Sequence, residues 1–130
     1  MADIAAEAEK VIKGLQHKDK WNNTVIDLKT NQIRKILTAV NSLTGRIDVY
    51  KAQNGQTDVL PDDLAAEVKY LKVKIVYQAG REKSVKKFAD DAGLIQRIDG
   101  IGTSIPKYED FARYIEALVA YHKFYGGKDK

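Results

Sequence analysis

Apolar residues recur along this chain in steps of three and four, and prolines almost never interrupt them. The longest stripe runs Ile33, Ile36, Leu37, Val40, Leu43, Ile47 and Tyr50. Such spacing gathers side chains on one face of a helix of about 3.6 residues per turn. Only Pro61 and Pro106 are present, and each stands where a helix can start, since the first helical N–H has no partner to lose. Runs of alternating polarity are few. The pattern predicts an all-α, single-domain bundle of about five or six helices across residues 1–130.

Local signals set the expected boundaries. A first helix covers about Asp3 to Leu15, followed by a polar arm around Trp21, so 1–29 reads as an N-terminal helix and arm. Thr30 is the expected N-cap of the second helix. Residues 53–60, with Asn54-Gly55, read as a loop. A third helix runs from Pro61 to Gly80 with Leu64, Val68, Leu71 and Ile75 as its core stripe. Ser84–Ala92 and Leu94–Ile98 are short helices. The last helix is expected from about Lys107 to Tyr125, with 126–130 as a frayed tail. Phe111, Tyr114, Ile115, Leu118, Tyr121 and Tyr125 line one side of it, and Ala117, Ala120 and Phe124 the other. A helix apolar on more than one face belongs at the centre of a fold or against a partner.

Several chemistries are excluded by composition. With no cysteine there are no disulfides, thiolate metal sites or cysteine nucleophiles, and with only His17 and His122 there is no multi-histidine metal site. His122, between Leu118 and Tyr125, is expected in the core, and His17 at an exposed helix end. A histidine phosphotransfer bundle needs an exposed histidine midway along a helix, which neither supplies. Gly100-Ile101-Gly102 follows no strand and is not a phosphate loop. Asp62-Asp63 and Asp90-Asp91 are adjacent pairs that point in different directions. No nucleophile is assembled with a base, and no cofactor is implied. No apolar run approaches the ~20 residues of a membrane span. The start Met-Ala-Asp-Ile has no basic n-region, so the cytoplasm is the expected compartment.

The net charge of +4 is small but unevenly placed. Lys69, Lys72, Lys74, Arg81, Lys83, Lys86 and Lys87 face one acid, Glu82, in the same stretch. Lys29, Arg34, Lys35, Arg46 and Lys51 face only Asp48. The flanks are acidic, through Asp58, Asp62, Asp63 and Glu67 on one side. Localised basic charge is the footprint of a polyanion partner, although a solvated helix face gives the same pattern. On the third helix Tyr70, Lys74, Tyr77 and Arg81 fall at i, i+4, i+7 and i+11. Rings interleaved with bases suit a phosphate backbone with stacking beside it, or lysine stems packed over tyrosines. Lys35, Ser42 and Arg46 form a second stripe, with Arg34 near the helix start. The candidate RNA-binding residues are Arg34, Lys35, Arg46, Lys74, Arg81, Lys86 and Lys87. A helix-packing adaptor without RNA contact is the alternative.

Three segments add a resemblance: Thr30–Leu37 (TNQIRKIL), Tyr70–Lys87 (YLKVKIVYQAGREKSVKK) and Phe111–Gly127 (FARYIEALVAYHKFYGG). Together they resemble the small subunit of type III-A CRISPR effector complexes, the Csm small-subunit family. The third segment is the most specific, through Arg113, Tyr114, Glu116, Ala117, Leu118, Ala120, Tyr121, Gly126 and Gly127. Asn31 and Gln32 stand where the family tends to place a small hydroxyl residue, and either side chain could bond a phosphate or cap the helix. The resemblance implies a helical bundle without catalysis of its own. Copies would stack along a complex, facing the backbone subunits that hold the guide RNA. Their basic faces would track target RNA and the guide–target duplex. Cleavage and signalling would belong to the backbone subunit and the large polymerase-like subunit.

Overall fold

A computed structural model describes residues 3–128. In chain order the elements are α1 (Ile4–Gly14), β1 (Gln16–Lys18), β2 (Thr24–Lys29), α2 (Thr30–Gln53), α3 (Asp62–Arg81), α4 (Lys83–Ala92), α5 (Leu94–Asp99), α6 (Ile105–Phe124) and β3 (Gly127–Lys128). The six helices carry the core, so the fold is mostly α. Asp3 caps α1, its carboxylate accepting the Ala6 N–H at 3.0 Å. Gly93 takes the left-handed conformation, φ +65°, that ends α4 and lets α5 begin.

Helix α6 is the central element. It buries Ile105, Tyr108, Phe111, Tyr114, Ile115, Leu118 and His122 against stripes of the other helices, among them Ala8 and Ile12 of α1 and Ile36, Val40 and Ile47 of α2. Each fully buried aliphatic or aromatic side chain contributes roughly 1.5–3 kcal/mol. Phe124, at the end of α6, is left exposed. The buried tyrosine hydroxyls of α6 have partners. The Tyr108 hydroxyl donates to the Val40 carbonyl at 2.8 Å, and the Tyr114 hydroxyl to the Ala92 carbonyl at 2.9 Å. Arg97 lies over the Tyr114 ring, 3.8 Å from its centroid, and its Nε donates to that same Ala92 carbonyl. The loop after α2 is tied to the start of α6 by Leu60 N–H to the Thr103 carbonyl and Ile105 N–H to the Asp58 carbonyl.

Five local expectations are corrected. The arm after α1 is a β-hairpin: β1 and β2 pair antiparallel, and β2 also pairs in parallel with β3, in the order β1-β2-β3. Thr24–Lys29 alternates, burying Ile26 and Leu28 and exposing Asp27 and Lys29, and Thr, Val and Ile favour the extended chain. Gly127 and Lys128 therefore pair with β2 where a frayed tail was expected, while residues 129 and 130 lie outside the described residues. His17 sits in β1, not at a helix end, and its Nε2 is 2.9 Å from Asp27 Oδ1. Thr30 is not the cap of α2. Lys29 is the capping position, and the Gln32 side chain accepts its N–H at 2.8 Å. The last helix opens two residues earlier than expected, at Ile105, capped by Ser104, whose hydroxyl accepts the Lys107 N–H.

His122 is buried, as its place on the apolar side of α6 implies. Its Nε2 lies 2.6 Å from the Leu28 carbonyl, so Nε2 carries the proton and donates it. That bond pins β2 to α6.

Candidate nucleic-acid interface

Two helices, α2 and α3, present the basic segments. Their apolar stripes pack inward, which turns the bases outward or into the groove between them. Ala39, Ser42, Leu43 and Arg46 of α2 and Glu67, Leu71 and Lys74 of α3 line that groove. Arg46 and Lys74, from separate sequence segments, thus share one surface. An Arg46 Nη1 to Glu67 Oε1 contact of 3.7 Å crosses it, half exposed on both sides. An ion pair this open to solvent is worth little, about 0–1 kcal/mol, and leaves Arg46 available to a stronger anion.

Along α3 each base of the stripe leans on the ring one turn before it. Lys74 Nζ is 5.7 Å from the Tyr70 ring centroid, and the Arg81 guanidinium is 5.7 Å from that of Tyr77. Both tyrosines are more than half exposed. The stems cover part of each ring while the cationic ends stay in water. Among the described residues no carboxylate comes within ion-pair distance of Arg34, Lys35, Lys74 or Arg81. Lys35 shares the outward face of α2 with Ser42 and Arg46, and Arg34 is exposed one residue earlier.

The structure sets Lys86 and Lys87 apart from this group. Both are on α4, and each is matched one turn later: Lys86 to Asp90 at 3.2 Å and Lys87 to Asp91 at 2.9 Å. Gln32 is likewise not a ligand group. It is buried, its Oε1 accepts from Lys29 N–H and from the Ser84 hydroxyl, and its Nε2 donates to Glu82. Asn31 beside it is exposed.

Two features were not picked out by motif reading. Val73 and Val76 lie outside the core stripe of α3, are about half exposed, and extend the Tyr70–Tyr77 row into an apolar face. Their steps of three from Tyr70 were visible in the sequence. Trp21, at the tip of the β1–β2 hairpin, is also exposed, and nothing local in the sequence fixes that.

A family model for Csm2 of type III-A matches residues 4–128. The chain belongs to the Csm2 type III-A family. A Mycobacterium tuberculosis (strain H37Rv) protein described as "CRISPR system Cms protein Csm2" is 41% identical over 128 residues, covering 98% of this chain and 95% of that one. A Streptococcus thermophilus protein of the same description is 41% identical over 123 residues, covering 95% and 91%. One from Enterococcus italicus is 36% identical over 101 residues, covering 75% and 68%. This member of the Csm2 family is therefore a small subunit of a type III-A Csm complex. The match includes α1 and the hairpin, which the three segments of the resemblance do not reach. No helix among the described residues is long and apolar enough to cross a membrane, and no three metal-ligating side chains converge.

Proposed function

We propose that this subunit holds RNA by its backbone, in the cytoplasm, and performs no chemistry itself. The α2–α3 face, with Arg34, Lys35, Arg46, Lys74 and Arg81, would follow the phosphates of target RNA and of the guide–target duplex. The observation that carries this reading is the row of unmatched bases laid on exposed tyrosines along α3. Phosphate contacts position a protein on a strand without reading its sequence, which suits a complex where base pairing does the reading. Lys86 and Lys87 would contribute more weakly, since an anion must compete with Asp90 and Asp91. Its partners would be the backbone subunit, the large polymerase-like subunit and further copies of itself, stacked along the RNA.

A second reading has its own support. Tyr70, Val73, Val76 and Tyr77 make an exposed apolar face on α3, which favours a protein partner there and an adaptor without RNA contact. One experiment separates the two. Reconstituted complexes carrying Lys74→Glu with Arg81→Glu should bind RNA of every sequence more weakly, with a flatter salt dependence. Wild-type affinity and salt slope in that variant would assign the stripe to packing.

A further inference from the structure

Trp21 is the only tryptophan of the chain, and it is 73% exposed. An exposed aromatic ring offers a flat face on which a base can stack. The turn that carries it is closely tied. Asp19 Oδ1 accepts the N–H groups of Trp21 at 2.8 Å and Asn23 at 2.9 Å. Asp19 N–H donates to the Asn23 carbonyl, and Asn22 N–H to the Asp19 carbonyl. Asn22 adopts φ +63°, a left-handed conformation that asparagine tolerates. The backbone of the tip is thus ordered before any ligand arrives, which lowers the entropy cost of binding.

The surroundings of the ring say what kind of occupant it suits. Its sequence neighbours in the turn are Asp19, Lys20, Asn22 and Asn23, and no other exposed large apolar residue lies in the hairpin. A protein hot spot sits in an apolar patch that excludes water, and none is built here. Lys20 Nζ lies 5.2 Å from the Trp21 ring centroid, and Lys18 Nζ reaches Thr24 Oγ1 at 2.8 Å on the strand flank. The Asp19 carboxylate, turned to backbone N–H groups, is spent on the turn. A lone exposed ring with the Lys20 ammonium beside it, Lys18 on the strand flank and two asparagines adjacent in the turn matches single-stranded nucleic acid: a base stacks, phosphates meet the lysines, and the amides reach base edges.

We propose that the β1–β2 hairpin tip is a second RNA contact, in which Trp21 stacks on an unpaired base while Lys18 and Lys20 hold its flanking phosphates. This rests on the RNA reading of the α2–α3 face but adds a different contact, to a base and not only to backbone.

Because Trp21 is unique, its emission reports this site alone. The full chain is titrated with a single-stranded oligouridylate and with the matching abasic phosphodiester. The uridylate should quench the emission and shield the ring from acrylamide, and the abasic strand should not. Trp21→Ala should weaken uridylate binding by about 5- to 150-fold at fixed salt, and Trp21→Phe should retain most of it. Salt-dependent binding with unchanged emission, or wild-type affinity in Trp21→Ala, overturns the hairpin proposal and leaves the α2–α3 reading standing. No binding of either strand by the free chain, and none by the assembled complex, overturns both. In the complex, fluorotryptophan at position 21 of this subunit is read by fluorine NMR. A shift on assembly before RNA is added places a protein over the ring and overturns the proposal. A shift only on RNA addition supports it.

Discussion

Tyr108 shows how much a single buried hydroxyl decides. Its phenol donates to the Val40 carbonyl, and the Thr44 hydroxyl lies 3.0 Å from it while also donating to that carbonyl. Burial pushes the phenol from its ordinary 10.0 up to about 12, partly opposed by the bond with Thr44. The folded chain therefore resists deprotonation that the unfolded chain accepts. The stabilisation is full below pH 10 and is lost as pH rises through about 12. Tyr108→Phe removes the hydroxyl but leaves Val40 bonded to Thr44, so near neutral pH it should cost only about 1 kcal/mol. Urea unfolding should show the wild type losing stability between pH 10 and about 12, with a smaller loss in the variant. An equal alkaline loss in both would remove Tyr108 as its source. Residues of this kind were partly legible. The burial of His122 follows from its position between Leu118 and Tyr125, but its acceptor, the Leu28 carbonyl, lies on a distant strand that no local signal names.

The start of α2 shows where reading by residue type misled. Threonine is a good cap, and Thr30 precedes the apolar stripe, yet the cap falls one residue earlier, at Lys29, whose N–H the Gln32 side chain folds back to take. Gln32 also meets Ser84 and Glu82, so one buried amide ties α2 to the junction of α3 and α4. That second duty is a long-range contact and is invisible in a window of sequence. Gln32→Ala should cost about 1–3 kcal/mol, because the Lys29 N–H and the Glu82 carboxylate lose their partner in a partly buried place. Hydrogen exchange should rise at the first turn of α2 ahead of the rest of the helix. Gln32→Glu, which sets a second carboxylate against Glu82, should be worse at neutral pH and recover in acid. If exchange at the first turn is unchanged in Gln32→Ala, the amide does not hold that junction. The hairpin is the opposite case: Thr24–Lys29 shows period-two alternation in the sequence, but six residues between long helices are outweighed by the helical pattern around them.

At the scale of the molecule, charge placement and charge availability differ. The sequence counts Lys86 and Lys87 with Lys74 and Arg81 as one basic stretch. Folding matches the first two to Asp90 and Asp91 and leaves the second two on tyrosine rings without an acid. The i, i+4 spacing of those lysines and aspartates made the matching legible, whereas the shared groove of Arg46 and Lys74 depended on how α2 and α3 pack. The consequence is measurable as counterion release. Each phosphate contact to a single strand contributes about 0.7 to the slope of log affinity against log salt, so removing two should flatten it by about 1.4. Lys74→Glu with Arg81→Glu should show at least that change in complexes bound to single-stranded RNA. Lys86→Glu with Lys87→Glu alters the formal charge by the same amount but strikes lysines already matched by carboxylates. It should change the slope by well under half as much, and its main effect should be helix α4 losing two i, i+4 pairs of about 0.3–0.5 kcal/mol each. Equal flattening in the two variants would mean that the RNA senses net charge and not the α2–α3 face. A larger change from the α4 pair would move the interface to that helix.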